Sequence, residues 1–121
     1  MEDCEMSWDC DLSVSLTIDG NSVSIPCGSW NYTHNTSKMI YDVLGDEAAG
    51  KSWYQLLNGK GGAEGAELLS RIVAGLEADP ERYCAMNPSN GWGSYDGILE
   101  ALREMRDASR KWPSAKWSCW G

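Results

Sequence analysis

Phenylalanine is missing from this chain, and histidine occurs only once, at position 34. The large rings are seven tryptophans and five tyrosines, each with an N–H or O–H group that needs a partner when buried. We therefore expect many of these rings at half-exposed positions rather than in a dry core. None of the five cysteines forms a CxxC pair, so the short ligand spacings of a zinc site are missing. We expect neither a metal nor a cofactor.

The chain also lacks a long apolar run and an excess of basic residues. No run approaches the roughly 20 apolar residues of a membrane span, so we expect no membrane partner. A net charge of −8 argues against direct binding of nucleic acid through its phosphates. The odd number of cysteines and the absence of a signal peptide favour a cytoplasmic location with free thiols.

The charges are unevenly distributed along the sequence. Acidic residues crowd the first eleven positions, and basic residues crowd the last fifth. From the length and the apolar content of 42% we expect a single domain over residues 10–121, preceded by a flexible acidic leader over residues 1–9. Arg103 and Arg106 are candidates for holding an anion.

An alternation of apolar and polar residues marks the beginning of the domain. In "CDLSVSLTI", residues 10–18, every second side chain is apolar, which predicts a strand with one buried face. "DGNS" supplies turn residues and "VSI" resumes the alternation, so we expect a β-hairpin. Near the C-terminus, "SAKWSCWG" predicts a strand with Ala115, Trp117 and Cys119 on one side.

Three stretches between these strands have the spacing of amphipathic helices: "TSKMIYDVLGD", "AEGAELLSRIVAGLEADP" and "GILEALREMRDASRKW". "KSWYQLLNG" and "ERYCAM" could each add a helical turn. The predicted fold class is α+β. A small antiparallel sheet, made of the N-terminal hairpin and the C-terminal strand, is covered by two or three helices.

The stretch "NPSNGWGSYDG", residues 87–97, precedes the last predicted helix and has two interpretations. It is either a capping loop that plugs Trp92 into the core, or a binding loop at a helix N-terminus whose free N–H groups attract an anion. In the second case two rings stack on a ligand, and three polar side chains form hydrogen bonds with its polar edges. These residues are Asn87, Asn90, Trp92, Tyr95 and Asp96.

A second polar and aromatic stretch, "WNYTHN" at residues 30–35, lies between the hairpin and the first helix. Recognition residues are often found on such loops. The candidate ligand-binding residues here are Asn31, Tyr32, His34 and Asn35. The alternative is a network of turns that packs the loop, with His34 in a structural role.

The motif "NYTHN", together with "LEADPERYCAMNPSNGWGSYDG", resembles a family of small proteins from bacteriophages and actinobacterial genomes. The resemblance extends from Asp11 over nearly the whole chain. The acidic, cysteine-containing leader and the C-terminal "KWSCWG" depart from the family pattern. The resemblance implies a phage or prophage context, and hence the host cytoplasm, rather than a particular chemistry.

Two functions are consistent with these observations. The first is a phage-type anti-defence protein that captures a small ligand. In the most specific version of this hypothesis, the ligand is a nucleotide-derived immune signal. The alternative is an acidic inhibitor that docks on the basic nucleic-acid-binding surface of a host defence protein, as many anti-CRISPR proteins do. We do not expect an enzyme, because a hydrolase using His34 and Asp96 has no supporting residue spacing. A homo-oligomer that pairs through the hairpin remains open.

Overall fold

The computed structural model describes residues 7–121, and these begin with a long β-hairpin. Strand β1 (Ser7–Ile18) pairs antiparallel with strand β2 (Asn21–Thr33). Asp19 and Gly20 form the turn with φ angles of 52° and 80°, the left-handed conformations that match the twist of a two-residue hairpin. The predicted hairpin is thus present, but both strands are longer than predicted.

The extra strand residues change the expected ends of the hairpin. β1 begins at Ser7 instead of Cys10, because Trp8 continues the apolar alternation and is buried. Residues 7–9, assigned above to the flexible leader, are therefore part of the sheet, and residues 1–6 lie outside the described part. β2 continues past Pro26 to Thr33, so most of "WNYTHN" is strand rather than loop.

The third strand, β3 (Lys116–Trp120), lies antiparallel to β1 on the side away from β2. Its inward residues Trp117 and Cys119, with the preceding Ala115, are buried, as the alternation predicted. The sheet order is therefore β2-β1-β3, and the predicted combination of an N-terminal hairpin with a C-terminal strand is confirmed.

Five helices complete the α+β fold, two of them short. Each long helix packs through the apolar stripe seen in its sequence, and α3 and α5 pack against each other. The helices are α1 (Ser37–Leu44), α2 (Trp53–Leu57), α3 (Gly62–Ala78), α4 (Pro80–Cys84) and α5 (Tyr95–Lys111). No helix within residues 7–121 is long and apolar enough to cross a membrane.

Three tryptophans, Trp8, Trp53 and Trp117, are fully buried, so the core contains part of the rings. Others, such as Trp30 and Tyr41, are half-buried, as expected. The indole N–H of Trp117 donates to the Ser109 hydroxyl at 3.0 Å, and that hydroxyl donates to the Gly62 carbonyl oxygen. The rings of Trp8 and Trp53 pack edge to face with centroids 5.0 Å apart. In the absence of phenylalanine, the indoles supply much of the core volume.

The distal half of the hairpin extends beyond β3, whose pairing with β1 ends at Ser13. We call residues 14–25 the arm. Its cross-strand partners include Val14 with Ile25 and Leu16 with Val23. Their side chains continue the apolar face of the sheet, yet Leu16, Val23 and Ile25 are exposed to solvent there.

Candidate binding surface around Trp92

The two polar and aromatic stretches singled out in the sequence lie next to each other. The Asn35 side-chain amide donates to the Trp92 carbonyl oxygen at 3.4 Å, and the Ser94 backbone N–H donates to the Tyr32 hydroxyl at 3.1 Å. These bonds connect the end of β2 and the following turn to the loop before α5. The fold therefore brings together segments about 60 positions apart in the chain.

The contact between the two segments is close packing. A side-chain carbon on Gly93 would lie 2.5 Å from the Thr33 methyl group, and one on Gly97 would lie 2.0 Å from the Tyr32 hydroxyl oxygen. Both distances are far shorter than a van der Waals contact, so a larger residue at either position requires the neighbouring side chain to shift. Gly93 also has a φ of 94°, which disfavours any other residue.

The N-terminus of α5 is capped from within the protein. The Tyr95 N–H donates to the Asn87 side-chain oxygen at 2.7 Å, and the Gly97 N–H donates to the Ser94 hydroxyl at 3.0 Å. These are the donors that would otherwise attract an anion at a helix start. The binding-loop interpretation expected free N–H groups at the start of α5, and for the Tyr95 and Gly97 N–H groups this expectation is wrong. In addition, Asp96 places a carboxylate in the first turn.

Most of the predicted asparagines have roles in local structure. The Asn90 side-chain oxygen accepts from the Trp92 N–H at 2.9 Å and fixes the loop. The Asn31 amide donates to the Ser7 hydroxyl, the Trp8 carbonyl oxygen and the Asp9 carboxylate, at 3.1–3.2 Å. These bonds position the backbone, as expected of Asx-type turns and cross-strand pairs.

Tyr95 points into the core, which corrects its assignment as a ligand-stacking residue. Its ring stacks on Tyr83 with centroids 6.4 Å apart, and its hydroxyl donates to the Leu76 carbonyl oxygen at 2.7 Å. Burial raises the pKa of this hydroxyl above its ordinary value. The side chain therefore joins α3, α4 and α5 and does not present its ring at the surface.

His34 lies on a single 3₁₀ turn after β2 and is half-buried. Its ring centroid is 6.0 Å from that of Tyr54, and a side-chain carbon on Gly121 would lie 3.1 Å from its Nε2 atom. The ring is thus packed between α2 and the end of the chain. No group of three or more His, Cys, Asp and Glu residues within residues 7–121 could hold a metal ion.

Trp92 has 65% of its surface exposed, more than any other large hydrophobic residue within residues 7–121. Gly91 and Gly93, both with positive φ, hold the backbone on either side. Its own N–H and carbonyl groups are bonded to Asn90 and Asn35, as described above. This loop therefore presents a large flat ring to solvent, with the exposed Asp96 four residues further along the chain.

The two arginines proposed as anion contacts are paired with carboxylates. The Arg103 guanidinium donates twice to Glu77, at 2.6 and 2.9 Å, and the Arg106 Nε donates to Asp107 at 3.0 Å. An anion would have to compete with these carboxylates. The prediction that Arg103 and Arg106 hold an anion therefore has no support from their surroundings.

Two features were not anticipated from the sequence. The Arg82 guanidinium makes two bonds to Asp42, at 2.8 and 2.9 Å, and the Tyr83 hydroxyl donates to the same carboxylate. These bonds hold the pKa of Asp42 below its ordinary value.

The second feature is a surface cleft of about 500 Å³ between α3 and α5, lined in part by Arg71 and Arg110. Neither is visible in sequence because each depends on residues about 40 positions apart.

The fold and the surface together define a small α+β protein with a net negative charge and an exposed tryptophan on the loop before α5. No protein-family model matches the chain, and no curated protein or solved structure is significantly similar to it.

Proposed function

We propose that this protein acts by binding, as an acidic inhibitor that docks through Trp92 on the basic nucleic-acid-binding surface of a host defence protein. The observation that carries the proposal is the exposed indole on a loop whose backbone is held at both ends. Tryptophans of this kind are the residues that most often dominate a protein interface. The sequence resemblance suggests a phage context, which is the reason for choosing a host defence protein as the partner.

The distribution of charge supports a basic partner. Four of the five arginines form ion pairs with carboxylates: Arg71, Arg82, Arg103 and Arg106. The chain has 18 acidic residues against 10 basic ones, so it carries an excess of negative charge. Such a surface attracts a positive patch and speeds association with it.

Inhibition of nucleic-acid cleavage tests this proposal. Purified protein is added to a panel of phage-targeting nucleases, including CRISPR effector complexes and restriction enzymes, and DNA cleavage is measured. We expect stoichiometric inhibition of at least one enzyme, weakening as salt rises from 50 to 200 mM because the contact is electrostatic in part. Replacement of Trp92 by alanine should weaken inhibition by about tenfold or more.

Trp112 provides the matched control, because it is also an exposed tryptophan and follows the opposite end of α5. The 17-residue helix between the two tryptophans is roughly 25 Å long. The Trp112→Ala variant should inhibit like the unmodified protein. No inhibition across the panel, or equal loss in both variants, would reject docking through Trp92.

A second function, capture of a small nucleotide-like ligand, is supported by the contact between the two motif segments. The Trp92 ring would stack on a base, and the adjacent Asn35 amide would contact its polar edge, with stacking worth about 1–3 kcal/mol. A titration with cyclic nucleotides and cyclic ADP-ribose isomers tests it, by tryptophan fluorescence and thermal shift. Binding that is lost in Trp92→Ala but retained in Trp112→Ala would favour capture over docking, and no response would eliminate it.

A further inference from the structure

Cys10 of β1 and Cys119 of β3 lie directly opposite each other on the inner face of the sheet. Cys10 has no exposed surface, and Cys119 has 8% of its surface exposed. Burial, followed by a hydrogen bond with the Cys119 thiol, raises the pKa of the Cys10 thiol above its ordinary value, so the two sulfur atoms lie close together. The fold therefore brings two free thiols from opposite ends of the described chain into one pair.

The backbone of β3 shows which kind of cross-strand pair this is. The Cys119 N–H donates to the Asn58 side-chain oxygen at 2.8 Å, and the Trp117 N–H donates to the Lys60 carbonyl oxygen at 2.9 Å. Both N–H groups point away from β1, which identifies Cys10 and Cys119 as a non-hydrogen-bonded pair. In such a pair the Cα atoms are only about 4.5 Å apart and the side chains are closer than at hydrogen-bonded positions. A disulfide joins Cα atoms roughly 4.4–6.8 Å apart, so the backbone does not have to move to form one.

The other cysteines within residues 7–121 are not aligned in this way. Cys84 is exposed on α4, away from the sheet. Cys27 is half-buried on β2, at the point where the register between β1 and β2 shifts. In this part of the chain, the sheet register therefore aligns only Cys10 with Cys119.

We propose that Cys10 and Cys119 form a disulfide bond when the protein is exposed to an oxidant of the low-molecular-weight disulfide class. One protein thiolate attacks the oxidant, which gives a mixed disulfide and releases one small thiolate. The other protein thiolate attacks the protein sulfur of the mixed disulfide, forms the Cys10–Cys119 bond and releases the second small thiolate. Each protein thiol loses one proton, and the two electrons reduce the oxidant to two thiols.

The bond would act as an oxidation-dependent lock on the C-terminal strand. β3 is an edge strand of five residues whose only partner strand is β1. A covalent bond between them closes a loop that contains nearly the whole domain, and it restricts the unfolded chain accordingly. Because both thiols are buried, the oxidant reaches them only when the sheet opens, and the completed bond is in turn shielded from reductants.

Oxidation of the full chain by glutathione disulfide tests the proposal. Reduced protein is incubated with the oxidant in urea just below the unfolding midpoint, the urea is removed, and unreduced peptides are mapped by mass spectrometry. We expect a Cys10–Cys119 linked peptide, with the loss of two hydrogen atoms, as the main cross-link. The Tm should rise by about 10 °C over that of the reduced protein and return to its first value with dithiothreitol. Absence of this peptide, or cysteines modified only by glutathione, overturns the proposal.

Two alanine variants separate this bond from other effects of oxidation. Cys119→Ala removes one partner of the pair, whereas Cys84→Ala removes an exposed thiol and is the matched control. We expect the rise in Tm on oxidation to disappear in Cys119→Ala and to persist in Cys84→Ala. An equal rise in both variants also overturns the proposal.

Circular dichroism checks that both variants fold. If Cys119→Ala does not fold, the peptide map of the unmodified protein decides by itself. Neither measurement depends on nuclease inhibition, so failure of the disulfide is distinguishable from failure of the proposed function.

Discussion

Tyr32 joins the two motif segments through one hydroxyl group. That hydroxyl accepts the Ser94 N–H, and its oxygen occupies the space where a side chain on Gly97 would begin. The tyrosine and the glycine therefore depend on each other. A side chain that sequence reasoning assigned to ligand binding contributes here to the position of the loop that carries Trp92.

Replacing Gly97 by alanine tests this dependence. Alanine in a helix is favoured over glycine by about 1 kcal/mol. The contact at 2.0 Å reverses this preference, and we expect a net loss of about 1–3 kcal/mol in the free energy of unfolding, measured in urea. In a Tyr32→Phe background, which lacks the oxygen, the same substitution should cost less. Stabilisation by Gly97→Ala in the unmodified protein would contradict this packing.

Asp42 gives the protein a defined pH dependence. Its pKa is lowered by bonds from Arg82 and Tyr83, so the unfolded chain binds a proton at this carboxylate more readily than the folded protein does. The stabilisation is fully present above the ordinary pKa and is lost as pH falls through the lowered pKa of the folded protein.

We therefore expect Asp42→Asn to have a lower Tm than the unmodified protein at pH 7, with the difference shrinking below about pH 5. Thermal unfolding between pH 7 and pH 2 measures this. Glu100→Gln, at an exposed position of α5, is the control and should leave the pH profile nearly unchanged. A difference between the Asp42→Asn and unmodified proteins that does not vary with pH would contradict the assignment.

At the scale of elements, α3, α5 and β3 meet at one buried point. Ser109 of α5 accepts from the Trp117 indole of β3 and donates to the Gly62 carbonyl oxygen at the start of α3. Gly65 lies close to the same indole, since a side-chain carbon there would be 2.5 Å from the Trp117 Nε1 atom. The Ser109 hydroxyl, together with the close packing of Gly65 against the Trp117 indole, thus connects the two long helices with β3.

Removal of this hydroxyl in Ser109→Ala leaves a buried N–H and a buried carbonyl oxygen without their partner. We expect a loss of about 1–3 kcal/mol in the free energy of unfolding. Ser70→Ala removes an exposed hydroxyl that accepts from Arg110, and its effect should stay within about 0.5 kcal/mol. Chemical denaturation of the two variants measures the difference, and equal effects would contradict a structural role for the Ser109 hydroxyl.

At the scale of the whole molecule, the reactivity of the buried cysteines measures how far the protein must unfold before its core is exposed. Cys10 and Cys119 are cross-strand partners and are both buried, whereas Cys84 is exposed. Burial, followed by the adjacent Cys119, raises the pKa of the Cys10 thiol above its ordinary value. The reactive thiolate is therefore scarce at this position.

Pulse alkylation with iodoacetamide at pH 8, followed by peptide mass spectrometry, should label Cys84 before Cys10 and Cys119. Cys10 and Cys119 should become labelled together, and only as fast as the protein unfolds. Addition of urea below the unfolding midpoint should accelerate labelling of the buried pair in parallel with the unfolded fraction. Labelling of Cys10 at the rate of Cys84 would contradict its burial in the sheet.

The sequence by itself determined the fold class and the elements whose periodicity is strong. The alternation in β1, the apolar stripe of α3 and the alternation around Trp117 each identify a buried face, because burial of that face is what maintains the pattern. The position of Gly20 in the hairpin turn was predicted for the same local reason.

Only the tertiary structure decided which polar and aromatic residues face solvent. Trp92 and Tyr95 lie three residues apart in one motif, yet one ring is exposed and the other is stacked in the core on Tyr83. Likewise, Asn31, Asn35 and Arg103, which seemed free to bind a ligand, have partners more than 20 positions away in the chain. Local patterns record whether a position is buried on average, whereas the partner of a hydrogen bond depends on which elements the fold places side by side.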